Sequence, residues 1–149
     1  MACFCHLFIE YVGKISLMEG PSMLPTLAVS GELVIEDRLS IHLNPSNISR
    51  GELLVLKSPL DSRRLICKRV AGLPGDIVCV DPTGEKAPST EHVIIPEGHL
   101  WIIGDNAPFS RDSRTYGPVS MGLVKAKLRA RVWPPTSFQI FRSNMAYID

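Results

Sequence analysis

The stretch GELLVLKSPLDSRRLICKRVAGLPGDIVCV, Gly51 to Val80, decides the fold. It holds three short apolar runs, Gly51–Leu56, Arg64–Val70 and Ile77–Val80, each of strand rather than helix length. Pro59-Leu60-Asp61-Ser62 separates the first two, and Gly72-Leu73-Pro74-Gly75-Asp76 the second two. Proline presets φ, glycine admits positive φ and aspartate bonds its own backbone, so both separators read as turns. The pattern continues outward. Val12–Met18 and Glu32–Glu36 precede the stretch, and His92–Ile95 and His99–Ile103 follow it. In Leu123–Trp133, Val124, Ala126, Leu128, Ala130 and Val132 alternate with Lys125, Lys127, Arg129 and Arg131. The reading is a mostly β fold of short, largely antiparallel strands joined by Gly/Pro turns.

Between these strands, Asp37–Arg50 and Gly104–Pro118 read as polar loops, and Asp81–Glu91 as an exposed, breaker-rich insertion, the place where mobility is expected. Pro134-Pro135 stops the last strand, and the tail to Asp149 shows no regular pattern. The basic side of Leu123–Trp133 has two readings: a solvated face protecting a sheet edge, or a surface for anionic lipid head groups.

A chain of 149 residues suits one domain able to bury a core. Its 45% apolar and 21% charged content is that of a globular protein, and a net charge of +1 gives no electrostatic case for a nucleic-acid partner. Cys3, Cys5, Cys67 and Cys79 do not have the spacing of a disulfide scaffold or a zinc site, and no metal or cofactor is expected. Met1–Val12 is mostly apolar but shorter than the ~20 residues of a membrane span. It has no basic start and no small-residue cleavage site, so it does not read as a secretory signal. It reads as the end of a membrane helix or as a short helix lying on a surface.

Gly20-Pro21-Ser22-Met23-Leu24-Pro25-Thr26-Leu27 carries the candidate chemistry. Gly20 and Pro21 break the strand before them, and Pro25 biases Leu24 to extended geometry, so Ser22 sits on a short, stiff corner. That is how a nucleophile is presented, and also how an ordinary turn looks. A serine hydroxyl needs a base. His6, His42, His92 and His99 lie in no polar turn beside a candidate aspartate. Lys68 shares a strand face with Ile66 and Val70, and desolvation there would lower its pKa and free its amine as a base. The alternative is a lysine that snorkels past its apolar neighbours.

Taken together, Gly20–Thr26, Lys68–Asp76 and Gly104-Asp105-Asn106 followed by Ser110–Arg114 occur in the order and spacing of the type I signal peptidases, and the chain resembles that Ser-Lys family from Glu10–Gly13 to Ile140–Arg142. The resemblance is strongest to the family's mitochondrial branch. It implies that Ser22 attacks the scissile carbonyl and that Lys68 is the general base. It implies that the Ser22 backbone N–H binds the oxyanion, Ser110 orients the lysine, and Asp105, Asp112 and Arg114 brace the site. Met23 and Pro25 would shape the substrate cleft. Some bacterial members place a serine, with an oxyanion-binding hydroxyl, where this chain has Gly20. The implied layout is a membrane-helix remnant at 1–11, a catalytic domain at 12–142 with its insertion at 81–91, and a tail at 143–149. The implied partners are precursor proteins with sorting presequences, a homologous second peptidase subunit and the inner-membrane lipid surface. The implied location is the mitochondrial inner membrane, with the catalytic domain facing the intermembrane space.

Overall fold

The computed structural model describes residues 1–143, so the expected tail lies, beyond Ser143, outside the described residues. The chain runs α1 (Ala2–Tyr11), β1 (Gly13–Met18), β2 (Glu32–Asp37), α2 (Leu39–Leu43), β3 (Leu53–Lys57) and β4 (Leu65–Gly72). It continues through β5 (Ile77–Cys79), β6 (His92–Ile94), β7 (His99–Ile103), α3 (Ser113–Tyr116), β8 (Val119–Ser120), β9 (Val124–Trp133) and β10 (Gln139–Ile140). One sheet has the order β1-β2-β9-β3-β4-β7-β8, with β10 added on β9; β5 and β6 form a separate hairpin. Every pairing is antiparallel. The mostly β, antiparallel expectation therefore holds.

The centre of the sheet follows from its apolar content. Leu53, Leu54, Val55 and Leu56 of β3 are all buried, as a strand covered on both faces requires. Alternate side chains feed two cores: Leu54 and Leu56 pack with Val70, Leu100 and Ile102, while Leu53 and Val55 pack with Val34, Cys67 and Leu128. Met23 and Leu27 join the second core, which fastens the serine corner to the sheet.

The structure corrects four sequence readings. The segment Asp37–Arg50 is not only a surface loop: it holds α2 and buries Ile41 and Ile48, whose apolar spacing was too sparse to show a pattern. The Gly104–Pro118 loop contains α3, capped by the Asp112 side chain. Gln139–Ile140 of the tail pairs with β9. Last, β9 is no edge: it pairs with β2, β3 and β10. Three of its cations meet acids from other parts of the chain, Lys127 with Glu52 at 3.0 Å, Arg129 with Asp37 at 2.8 Å and Arg131 with Glu32 at 2.8 Å. Lys127 and Arg131 are thereby drawn into the fold and the edge reading does not hold, while Arg129 remains 44% exposed.

Helix α1 buries none of its residues, and Phe4, Leu7, Phe8, Ile9 and Tyr11 are all exposed. Among the described residues, no helix is long and apolar enough to cross a membrane.

Candidate active site

A cleft of about 870 Å³ runs between β1 and the first half of β4, and both Ser22 and Lys68 line it. Its walls follow from two incomplete strand edges. β1 ends the sheet and, among the described residues, pairs only with β2. β4 pairs with β3 along Leu65–Arg69, but β7 begins to cover its other side only at Arg69. Residues Leu65–Lys68 thus keep an open backbone edge facing the cleft.

The serine corner is a single 3-10 turn, Pro21–Met23. Gly20 precedes it at φ 119°, a conformation that L side chains rarely adopt. A serine at this position would be strained by its backbone, although its Cβ would meet open space. Ser22 stands in the first turn of the 3-10 helix, where N–H groups point outward without intrahelical partners. The backbone around it is held from behind: the N–H of Asn106 donates to the Ser22 carbonyl at 2.9 Å, and Asn106 Nδ2 donates to the Pro21 carbonyl at 2.9 Å. Met23 is buried and lines the cleft. Pro25 is exposed and, unlike Met23, does not line the cleft as the resemblance implied.

Lys68 is 4% exposed. Burial lowers its pKa; the Asp112 carboxylate opposes that shift, and the cations Arg114 and Lys86 add to it. Snorkelling into solvent is thereby ruled out. Neighbouring Cys67 also lines the cleft, but burial pushes its thiol up to about 12, so it is no thiolate nucleophile at neutral pH. Among the described residues, no histidine lines this cleft.

Behind the lysine, Asp112 is fully buried and gathers the loop around itself. It accepts from Gly104 N at 2.9 Å, Ser110 Oγ at 2.6 Å, Arg114 Nε at 2.9 Å and Arg114 Nη2 at 2.6 Å. Burial alone would raise the Asp112 carboxyl pKa; hydrogen bonds from Arg114 and Ser110 outweigh it and hold the group ionised below the usual range. Ser110 thus commits its proton to Asp112 and has only lone pairs left to offer. Gly104 lies between the two serines: a Cβ there would stand 2.1 Å from Ser110 Oγ and 2.6 Å from the Ser22 carbonyl.

Asp105 braces a different part of the site. Its partner is Arg69, with Nε–Oδ1 at 2.8 Å and Nη2–Oδ2 at 2.7 Å, and the two side chains are 3% and 0% exposed. Thr26 Oγ1 also donates to Asp105, and Arg69 Nη1 donates to the Gly51 carbonyl at 2.8 Å. This buried pair ties β4 to the serine corner. Arg69 was missed as a site residue; its signal was a second cation beside Lys68 on the opposite strand face. Lys86 was missed too. Its Nζ donates to the Ser110 carbonyl at 2.6 Å, so the 81–91 insertion reaches the site. Buried Asp81 anchors that insertion by accepting from Lys86 N at 2.7 Å and Thr83 Oγ1 at 2.7 Å.

A serine on a stiff corner and a buried lysine in one cleft are the parts of a serine peptidase, and the sequence matches the family Signal peptidase, peptidase S26, over residues 1–85 and 81–133. The chain belongs to this family of serine proteases. It is similar to mitochondrial inner membrane protease subunit 1 of Schizosaccharomyces pombe, 47% identical over 134 residues, covering 90% of this chain and 82% of that one. The human protein of the same name is 39% identical over 142 residues, covering 95% and 82%. Subunit 2 of the Saccharomyces cerevisiae protease is 40% identical over 129 residues, covering 84% and 71%.

Proposed function

We propose that this chain is an endopeptidase of the mitochondrial inner membrane that removes sorting presequences from proteins bound for the intermembrane space, with Ser22 as nucleophile and Lys68 as general base. The observation that carries this reading is the shared cleft: Ser22 and a buried, pKa-depressed lysine line it together.

The substrate adds as an extended strand between the free edge of β1 and the open edge of Leu65–Lys68, so that main-chain hydrogen bonds bind it and alternate side chains enter pockets. Neutral Lys68 takes the Ser22 proton as Oγ attacks the scissile carbonyl, and the resulting oxyanion accepts from the Ser22 N–H. The lysine then returns the proton to the leaving amine, and a water repeats the cycle on the acyl-enzyme. Ser110 presents its lone pairs to the lysine and keeps it aimed. Asp112 and Arg114 hold Ser110, and the Asp105–Arg69 pair holds the corner. Helix α1, mostly apolar and exposed apart from His6 and Glu10, provides the lipid-facing end, with the catalytic domain on the intermembrane-space side. A homologous second subunit completes the assembly, as the subunit names of the relatives suggest.

A second reading is favoured by one comparison. The S. cerevisiae subunit 1 is 38% identical to this chain and subunit 2 of the same yeast is 40% identical, so the chain is also a candidate for the second catalytic subunit. A presequence-binding scaffold on the same fold would have no use for a buried lysine in the cleft that Ser22 lines. The test is cleavage of model presequence peptides by the detergent-solubilised full chain, alone and with its partner subunit. Wild type should cut at one bond, and Ser22→Ala and Lys68→Met should fold but not cut. Binding without cutting by the wild-type pair would establish the scaffold instead.

A further inference from the structure

One end of the cleft carries a feature that the chemistry at Ser22 does not use. Strand pairing sets Lys14 opposite Glu36, Ser16 opposite Val34 and Met18 opposite Glu32, so these side chains share a face. Lys14, Ser16, Met18 and Glu36 all line the cleft. Glu36 is 1% exposed, yet among the described residues its Oε2 has no hydrogen-bond partner, and neither has the buried Oγ of Ser16. Arg38 Nε stands 3.7 Å from that Oε2, too far for a direct bond, and is itself unpartnered; the Arg38 guanidinium is otherwise drawn toward Glu10. Glu32, on the same face of the same strand, is the contrast: its carboxylate accepts from Ala28 N at 3.0 Å and from Arg131 Nη1 at 2.8 Å.

Buried polar atoms are nearly always paired, and leaving one unpaired is costly. Two such atoms in one cleft wall amount to a prepared acceptor site. We infer that Glu36 and Ser16 form a specificity subsite for a substrate side chain that carries a neutral N–H or O–H donor, a carboxamide or a hydroxyl. A cationic side chain is disfavoured, since Lys14 and Arg38 already flank the Glu36 carboxylate. An extended substrate presents alternate side chains to one face about 6.8 Å apart. The subsite lies along β1 away from Ser22, and therefore reads a residue removed from the scissile bond. This inference rests on the peptidase reading above.

The test scans each of four positions on either side of the cut with matched pairs, Asn against Leu and Thr against Val. Cleavage is read with the wild-type full chain and its partner, and binding with Ser22→Ala by fluorescence anisotropy. At one position the donor side chains should be favoured at least about tenfold, because a site built around hydrogen bonds rejects an analogue that cannot make them. Ser16→Ala and, separately, Glu36→Met should remove that preference and leave the apolar peptides unchanged. Ser16→Ala is a small change that keeps the test valid should Glu36→Met fold poorly. A lack of donor preference at every position would overturn the inference, as would its survival in both variants or an equal loss for all peptides. If the preference appears in binding but wild type cuts nothing, the peptidase reading fails and the subsite stands.

Discussion

Gly104→Ala probes the geometry that holds the two serines in place. The new Cβ would lie 2.1 Å from Ser110 Oγ, 2.5 Å from Ser110 Cβ and 2.6 Å from the Ser22 carbonyl oxygen, where ordinary contact begins at 3.4 Å. Neither neighbour is a flexible chain end. The Ser22 carbonyl is backbone held by Asn106, and Ser110 is held by Asp112 at 2.6 Å. The glycine cannot retreat freely, since its own N–H donates to Asp112 at 2.9 Å. Relief requires the two serines to part by about 1 Å, and a misplacement of that size costs about 100-fold in rate. Overpacking in a closed site costs about 1–3 kcal/mol, which in a chain of this length lowers Tm by roughly 2–12 °C. The assay pairs kcat/KM on a presequence peptide with a thermal melt. Gly122→Ala is the control, because its Cβ would meet only Ser120 Oγ at 3.4 Å. Wild-type kcat/KM and Tm for Gly104→Ala would refute the proposed arrangement.

Three further outcomes are expected. Lys68→Met should stabilise the fold at neutral pH: the folded-state pKa of Lys68 is lowered, so the folded chain binds fewer protons than the unfolded chain between the two pKa values, and wild type gains stability as pH rises across that window. The gap between variant and wild type in urea melts, about 1.4 kcal/mol for each unit of depression, should close as pH approaches ~10.4; a gap independent of pH would contradict this. Asp105→Asn removes the carboxylate that accepts two hydrogen bonds from the buried Arg69 guanidinium and should cost about 3–5 kcal/mol in denaturant melts, whereas a change within about 0.5 kcal/mol would place the pair among ordinary surface charges. Lys86→Met removes both the donor to the Ser110 carbonyl and a cation that lowers the Lys68 pKa; kcat should fall and the acidic limb of the rate profile should move to higher pH, and an unmoved limb would show that the insertion does not act on the site.

The sequence makes the local parts of this site legible. Gly20-Pro21 before Ser22 announces a stiff corner, and Ile66 and Val70 around Lys68 suggest desolvation while leaving a snorkelling lysine open, because both features are set within a few residues. Partners distant in sequence could not be read in the same way. The alternation along β9 marked a strand, yet Lys127, Arg129 and Arg131 looked solvent-facing because Glu52, Asp37 and Glu32, which neutralise them, lie 75 to 99 residues away. Asp105 and Arg69 are 36 residues apart, so their pairing needed β4 and the loop after β7 to be brought together. Lys86 sat in a segment whose composition signals exposure, and only the fold shows it returning to Ser110. Ile41 and Ile48 were hidden by the polar residues around them.

The most direct test of the central claim is the pH dependence of kcat/KM for the full chain with its partner subunit, measured for wild type, Ser22→Ala and Lys68→Met. The account predicts a wild-type rate that rises with pH through one ionisation below the ~10.4 of an ordinary lysine, and no cleavage by either variant at any pH. A wild-type rate that stays flat from neutral to alkaline pH, or a Lys68→Met variant that cuts as wild type does, would show that Lys68 is not the base.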